Sequence, residues 1–219
     1  MEHSGSGQAF LSGSIRIRVM LALVACLAQP GCYSVTRTGA PEPAAMLETL
    51  GNVSVLRVGK PLRPRPELRL QPGDEVATDV NGYAVIRYAS GASVYLKPDT
   101  RVRVGSIFVV FGEVFARAKE LFRVDTDFVT AGVEGTEFSL QANRMGLITV
   151  TVREGIVVCS SMRGRWAPVR MQNGERLVAV QEQTPEVTKV PGKELRSETG
   201  WVDDIEARLR QKKKPSATP

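Results

Sequence analysis

Through the middle of the chain, glycine recurs at the interval of a strand plus a turn. Gly73, Gly82 and Gly91 are nine residues apart, and Gly146, Gly155, Gly164 and Gly174 follow at nine, nine and ten. A strand of about five or six residues with a tight turn fills that length, and glycine supplies the positive φ such turns require. Between the glycines, Val53-Ser54-Val55-Leu56-Arg57-Val58, Arg101-Val102-Arg103-Val104 and Ile148-Thr149-Val150-Thr151-Val152-Arg153 alternate apolar and polar residues. Period two with β-branched side chains predicts half-buried strands, and the unbroken Ile156-Val157-Val158 predicts a strand covered on both faces. Asn81-Gly82 and Ser90-Gly91 are direct turn signals. The expectation is an all-β domain over residues 52–180, for which a compact multi-stranded sandwich, a barrel and a short β-solenoid fit equally well.

Chemistry is constrained by what is scarce. The only histidine among 219 residues is His3, so triads with an imidazole base and histidine zinc sites have no folded residue to use. Cys26, Cys32 and Cys159 are too few and too spread for a disulfide scaffold or a four-cysteine zinc site. Cys159, beside Val157 and Val158, reads as a small buried apolar residue, with a disulfide to Cys32 open in an oxidising compartment. Glycan cleavage would need two carboxyl groups at a set separation; Asp125 with Asp127, and Glu134 with Glu137, are the pairs that could share a strand face, and a solvated face is the plainer reading. The sequence carries no Asp-x-Asp-x-Asp-Gly calcium loop and no glycine-rich phosphate loop with Lys and Ser or Thr. A non-enzyme without cofactor or metal is expected.

The first thirty residues indicate a compartment. Arg16 and Arg18 precede Val19–Ala28, ten uncharged and apolar residues, too short to span a bilayer and suited to the hydrophobic part of an export signal. Leu23-Val24-Ala25-Cys26 is similar to a bacterial lipoprotein cleavage site, which makes Cys26 the expected acylated residue. Gln29-Pro30-Gly31-Cys32 makes Cys32 the alternative, and ordinary cleavage after Ala28 is the third route. Residues 1–32 are therefore read as a signal peptide of lipoprotein type, placing the protein in the periplasm or outer membrane of a Gram-negative-type envelope. The net charge of +6 then meets an envelope protein or a cell-wall polymer, not nucleic acid, with the membrane reached through the lipid anchor. Residues 33–51 read as a tether ending in a helix-like Ala44–Leu50.

Pro61-Leu62-Arg63-Pro64-Arg65-Pro66 lacks three ladder donors and reads as an excursion or sheet edge. Residues 181–199 read as a linker, and 200–219 as a C-terminal helix with a basic tail. Trp201, Ile205 and Leu209 form one amphipathic stripe, expected to dock on its own domain. Acidic residues come early and basic ones late, as the helix dipole favours, and Thr199 is the expected N-cap.

Several segments in order resemble the FecR domain family. They are Gly73-Asp74-Glu75-Val76-Ala77-Thr78, Gly82-Tyr83-Ala84-Val85-Ile86-Arg87-Tyr88, Ser90-Gly91-Ala92-Ser93-Val94-Tyr95-Leu96 and Pro98-Asp99-Thr100. Gly112-Glu113-Val114, Phe122-Arg123-Val124-Asp125-Thr126, Val133-Glu134-Gly135-Thr136-Glu137-Phe138-Ser139-Leu140 and Val150–Val158 continue it, so the resemblance spans 52–161. It implies a FecR-like β domain in periplasmic sensing or scaffolding. In the family's regulators that domain follows a cytoplasmic sigma-factor-binding segment and a membrane helix. With about eighteen residues before the apolar run, a free-standing, non-catalytic envelope protein is expected, and a regulator that keeps its N-terminal segment and acts on a sigma factor is the alternative. Gly73, Asp74, Gly91, Gly135, Thr136 and Phe138 read as structural: glycines for turns, Asp74 and Thr136 to cap free backbone N–H groups, Phe138 for the core. The expected contacts to a partner are the 61–66 loop, Tyr83, Tyr88, Tyr95, Trp201 and the C-terminal helix, with two of the tyrosines equally suited to the core, and recognition through an exposed sheet edge.

Overall fold

The computed structural model describes residues 45–66, 68–181 and 183–213. His3, Cys26, Cys32, the expected signal peptide and most of the 33–51 tether lie outside the described residues. The strands are β1 Ala45–Leu50, β2 Val53–Arg57, β3 Lys60–Leu62, β4 Leu68–Leu70, β5 Glu75–Thr78, β6 Tyr83–Arg87, β7 Ser93–Leu96 and β8 Arg101–Arg103. They continue with β9 Ile107–Ala118, β10 Phe122–Asp125, β11 Val129–Ala142, β12 Leu147–Ser161, β13 Val169–Gln172, β14 Glu175–Val180 and β15 Glu186–Lys189. Two helices close the chain, α1 Gly192–Thr199 and α2 Trp201–Lys213.

Three long strands, of 12, 14 and 15 residues, organise the rest. The first half of β9 pairs with β8 and, in parallel, with β10; its second half pairs with β7 and β11. β11 pairs through its first half with β10 and through its second with β9, while β12 carries β14 on its first half and β13 on its second. One hydrogen-bonded sheet is thereby folded into two layers: β4-β1-β6-β7-β9-β11-β12-β14-β15, and β3-β2-β5-β8-β9-β10-β11-β12-β13. Leu47, Ile86 and Leu140 from the first layer and Val55, Val102 and Val124 from the second share one buried cluster, which makes the architecture a sandwich and not a solenoid.

The long strands change layer at glycines. Gly112 in β9, Gly135 in β11 and Gly155 in β12 all have positive φ, +102°, +61° and +87°. A Cβ on Gly155 would lie 2.6 Å from Gly135 O, and one on Gly112 would lie 2.4 Å from Thr100 Oγ1. At Gly112 and Gly155 there is no room for a side chain, so glycine is needed for space as well as for φ, whereas at Gly135 φ alone calls for it.

Four sequence expectations are corrected. Ala45–Leu50 is a strand: Ala45 and Leu47 face the core, Met46 faces out, and pairing with β4 and β6 overrides the helix-forming side chains. Within 181–199, read as a linker, lie β15 and α1. Ile156-Val157-Val158 is covered on one face only, with Val157 buried and its neighbours half-buried. Thr199 ends α1 instead of capping α2, and its Oγ1 donates to Leu195 O at 2.8 Å.

Gly200 between the helices keeps helical angles, φ −64° and ψ −24°, so α1 and α2 form a nearly continuous rod about 33 Å long. It crosses the outer face of the first layer from β14 to β1. Seven strands at about 4.8 Å spacing need roughly 29 Å, a span the rod covers. The outermost strands of both layers, β4 and β15, β3 and β13, are three or four residues long. Proline lies within or beside each, at Pro61, Pro72, Pro168, Pro185 and Pro191.

Candidate partner-binding surface

The expected motif residues build the frame. Gly73, with φ +91°, turns Asp74 inward, where its carboxylate is buried. It accepts from Gln71 N–H at 2.8 Å and from Arg57 Nε and Nη2 at 2.8 and 2.7 Å. Burial alone would raise this carboxyl; the Arg57 and Gln71 hydrogen bonds outweigh it and hold the pKa below the ordinary value. Gly91 turns β6 into β7 with φ +85°. Thr136 is buried, but its hydroxyl donates to Glu134 O and Ile156 O at 3.0 and 2.9 Å, so it satisfies corner carbonyls and not the N–H groups anticipated. Phe138 is fully buried.

The expected contact residues face inward. Tyr95 and Tyr88 are buried, and Tyr88 packs edge-on against Phe122 in the core. Tyr95, Val85 and Phe115 form the floor on which α2 sets Val202, Ile205 and Leu209, while Tyr83 and Trp201 pack at its margin, ring centroids 6.1 Å apart. Tyr83, Tyr95 and Trp201 are thus committed to the protein's own helix, and Tyr88 to the core between the layers. Salt bridges fasten the rod along its length: Arg176 with Glu194 and Glu198, Arg117 and Arg153 with Asp203, Arg87 with Glu206, and Lys213 with Glu48.

Each expected carboxylate pair is split, one member paired internally and the other exposed. Asp125 accepts from Thr130 at 2.9 Å and pairs with Arg123, Glu137 lies between Arg117 and Arg153, and Asp127 and Glu134 point to solvent. Cys159 is fully buried beside Met171, and burial pushes its thiol up to about 12. No cluster of metal-ligating side chains occurs among the described residues.

The outer face of the second layer has no helix over it among the described residues. On it Arg101 and Arg103 of β8 stand on Phe111 and Phe108 of β9, with guanidinium carbons 5.8 and 5.6 Å from the ring centroids. Arg144, from the β11–β12 turn, reaches Phe111 at 4.0 Å. Phenylalanines three apart would fall on opposite faces of a regular strand. The register shift that pairs Arg101 with Phe111 and Arg103 with Phe108 brings both to the outside. Sequence reasoning missed this cluster; the facing Arg-x-Arg and Phe-x-x-Phe were its only signal, and the extra residue, Val110, disguised it.

Residues 74–158 match the family described as FecR protein. The match lies within the 52–161 resemblance read from sequence. Two crystal structures of a "putative anti-sigma factor" from Parabacteroides distasonis ATCC 8503, at 1.65 and 2.50 Å resolution, share the fold with TM-scores of 0.50 and 18% and 19% identity. The alignments cover 58% of this chain and 64% and 63% of those chains, so the chain spans less than two thirds of the structures it matches. No curated protein matches it.

Proposed function

We propose that the protein is a non-catalytic FecR-domain protein of the cell envelope, anchored through an acylated Cys26 or, failing that, Cys32, and that it senses or scaffolds by binding a partner protein through the outer face of β8–β10. The observation that carries this reading is the asymmetry of the sandwich. One outer face is sealed by the protein's own helices, and the other displays arginine–phenylalanine stacks to solvent. Arginine and aromatic side chains are enriched where proteins meet. The short, proline-bounded outer strands favour recognition by this face over strand addition at an edge.

A photo-crosslinking residue at Phe108, tested in intact envelopes, is expected to trap a protein, whereas one at Asp204 on the exposed side of α2 is not. Crosslinks confined to Asp204 would overturn the assignment. Anchoring predicts labelling by a palmitate analogue that is lost on Cys26→Ser, or on Cys32→Ser if that residue is used. A second reading, control of a sigma factor, is favoured by the neighbours described as anti-sigma factors. It predicts that deleting the gene changes transcription from that factor's promoters.

A further inference from the structure

Arginines on the helix-covered face each meet carboxylates: Arg87 meets Glu48 and Glu206, Arg117 and Arg153 share Glu137 and Asp203, and Arg176 meets two glutamates of α1. Arg101 and Arg144 differ. Both converge on the Phe111 ring, which places their guanidinium carbons within about 10 Å of each other, and neither has a carboxylate partner among the described residues. Two cations held that close on one aromatic ring, about a Debye length apart, attract an anion that can lie between them. Resting on the partner-face reading above, we infer that Arg101, Arg144 and Phe111 form an anion cradle that seats an acidic side chain of an extended segment of the partner protein.

Three features favour an acidic polypeptide. Arg101 and Arg103 are two residues apart on β8 and share a face, so their backbone positions are about 6.8 Å apart, the repeat of alternate side chains in an extended chain. Among the described residues Arg103, itself exposed, is offset only by the half-buried Glu75, at 3.5 Å, a long pair that leaves the guanidinium free to meet an incoming carboxylate. Next to Arg144 in the chain, Met145 is 79% exposed, an apolar surface for the methylene groups of the acidic side chains. The planar guanidinium fork suits carboxylates bidentately.

The test uses the full chain with a short peptide of alternating Glu and Thr, a matched Gln–Thr peptide, and vesicles of phosphatidylcholine with or without phosphatidylglycerol. Binding of the Glu–Thr peptide alone is expected, weakening with salt and falling roughly tenfold on Arg101→Gln or Arg144→Gln. Arg210→Gln on α2 should leave it unchanged. All three side chains are exposed, and unchanged melting would confirm that the variants are folded. Equal binding of the Gln–Thr peptide, equal binding by the cradle variants, or tighter Arg101-dependent binding of phosphatidylglycerol vesicles would each overturn the inference. If the Phe108 crosslink forms undiminished in the Arg101→Gln/Arg144→Gln chain, the cradle fails while the partner face stands. If Phe108 traps nothing in the native chain, the underlying reading fails.

Discussion

Arg87 Nη2 lies 2.9 Å from Glu206 Oε1, and the same guanidinium places Nε 2.9 Å from Glu48 Oε2. One side chain on β6 thus ties the neighbouring strand β1 to the helix above it. Glu206 also accepts from the Tyr95 hydroxyl. Burial comes first in raising the Tyr95 pKa, and the adjacent Glu206 adds to it, to about 12, so this phenol remains a donor throughout the physiological range.

Removing the cation should cost more than neutralising one acid. Arg87→Met leaves Glu48 and Glu206, with side chains only 10% and 14% exposed, without their shared partner, and is expected to cost about 3 kcal/mol. Glu206→Gln still accepts from Tyr95 and Arg87 and should cost about 1 kcal/mol. Urea unfolding at constant m-value distinguishes the two.

The corner glycines predict an ordered pair of effects. Gly135→Ala meets nothing within 4 Å and bears only the cost of φ +61°, about 1–2 kcal/mol. Gly155→Ala adds a methyl 2.6 Å from a backbone oxygen, so a loss of more than about 3 kcal/mol is expected. Equal effects in thermal or urea unfolding would mean that the corner yields.

Val58 forms the β2–β3 hairpin turn with Gly59, at φ +50° and 92% exposed. A β-branched residue is strained there, and asparagine is favoured before glycine in such turns. Val58→Asn should therefore stabilise the protein by about 1 kcal/mol, read as a raised urea midpoint.

Acid should loosen the fold through two carboxylates. In Glu206, as in Asp74, burial raises the pKa but is outweighed, here by hydrogen bonds from Tyr95 and Arg87, so both groups lie below their ordinary 4.5 and 3.8. A depressed folded-state pKa gives stabilisation that is complete above the unfolded value and lost as pH falls through the folded one. Stability from these groups should hold above about pH 5 and decline below it. The Asp74→Asn/Glu206→Gln chain should show a shallower decline.

Strands were legible wherever side chains alternated, as in Val53–Arg57 and Ile148–Arg153, and the helical stripe of Ile205 and Leu209 packs inward as its spacing indicated. Ala45–Leu50 was not, because Ala-Met-Leu-Glu-Thr-Leu satisfies a helix locally and becomes a strand only through partners about twenty and forty residues away. Gly155 resembled a turn between strands but lies within one, since a positive φ looks the same in sequence whether the chain reverses or bends. Tyr83, Tyr95 and Trp201 carry aromatic surface that could face a partner or a helix, and residue type alone does not decide between them. The Arg101–Phe111 stack depends on a register that only the folded ladder sets.

The abbreviated, proline-guarded outer strands also bear on self-association at high local concentration. Copies pressed side by side would find too few free amides and carbonyls in a row to zip into a shared ladder, so crowding should not seed fibres from this domain.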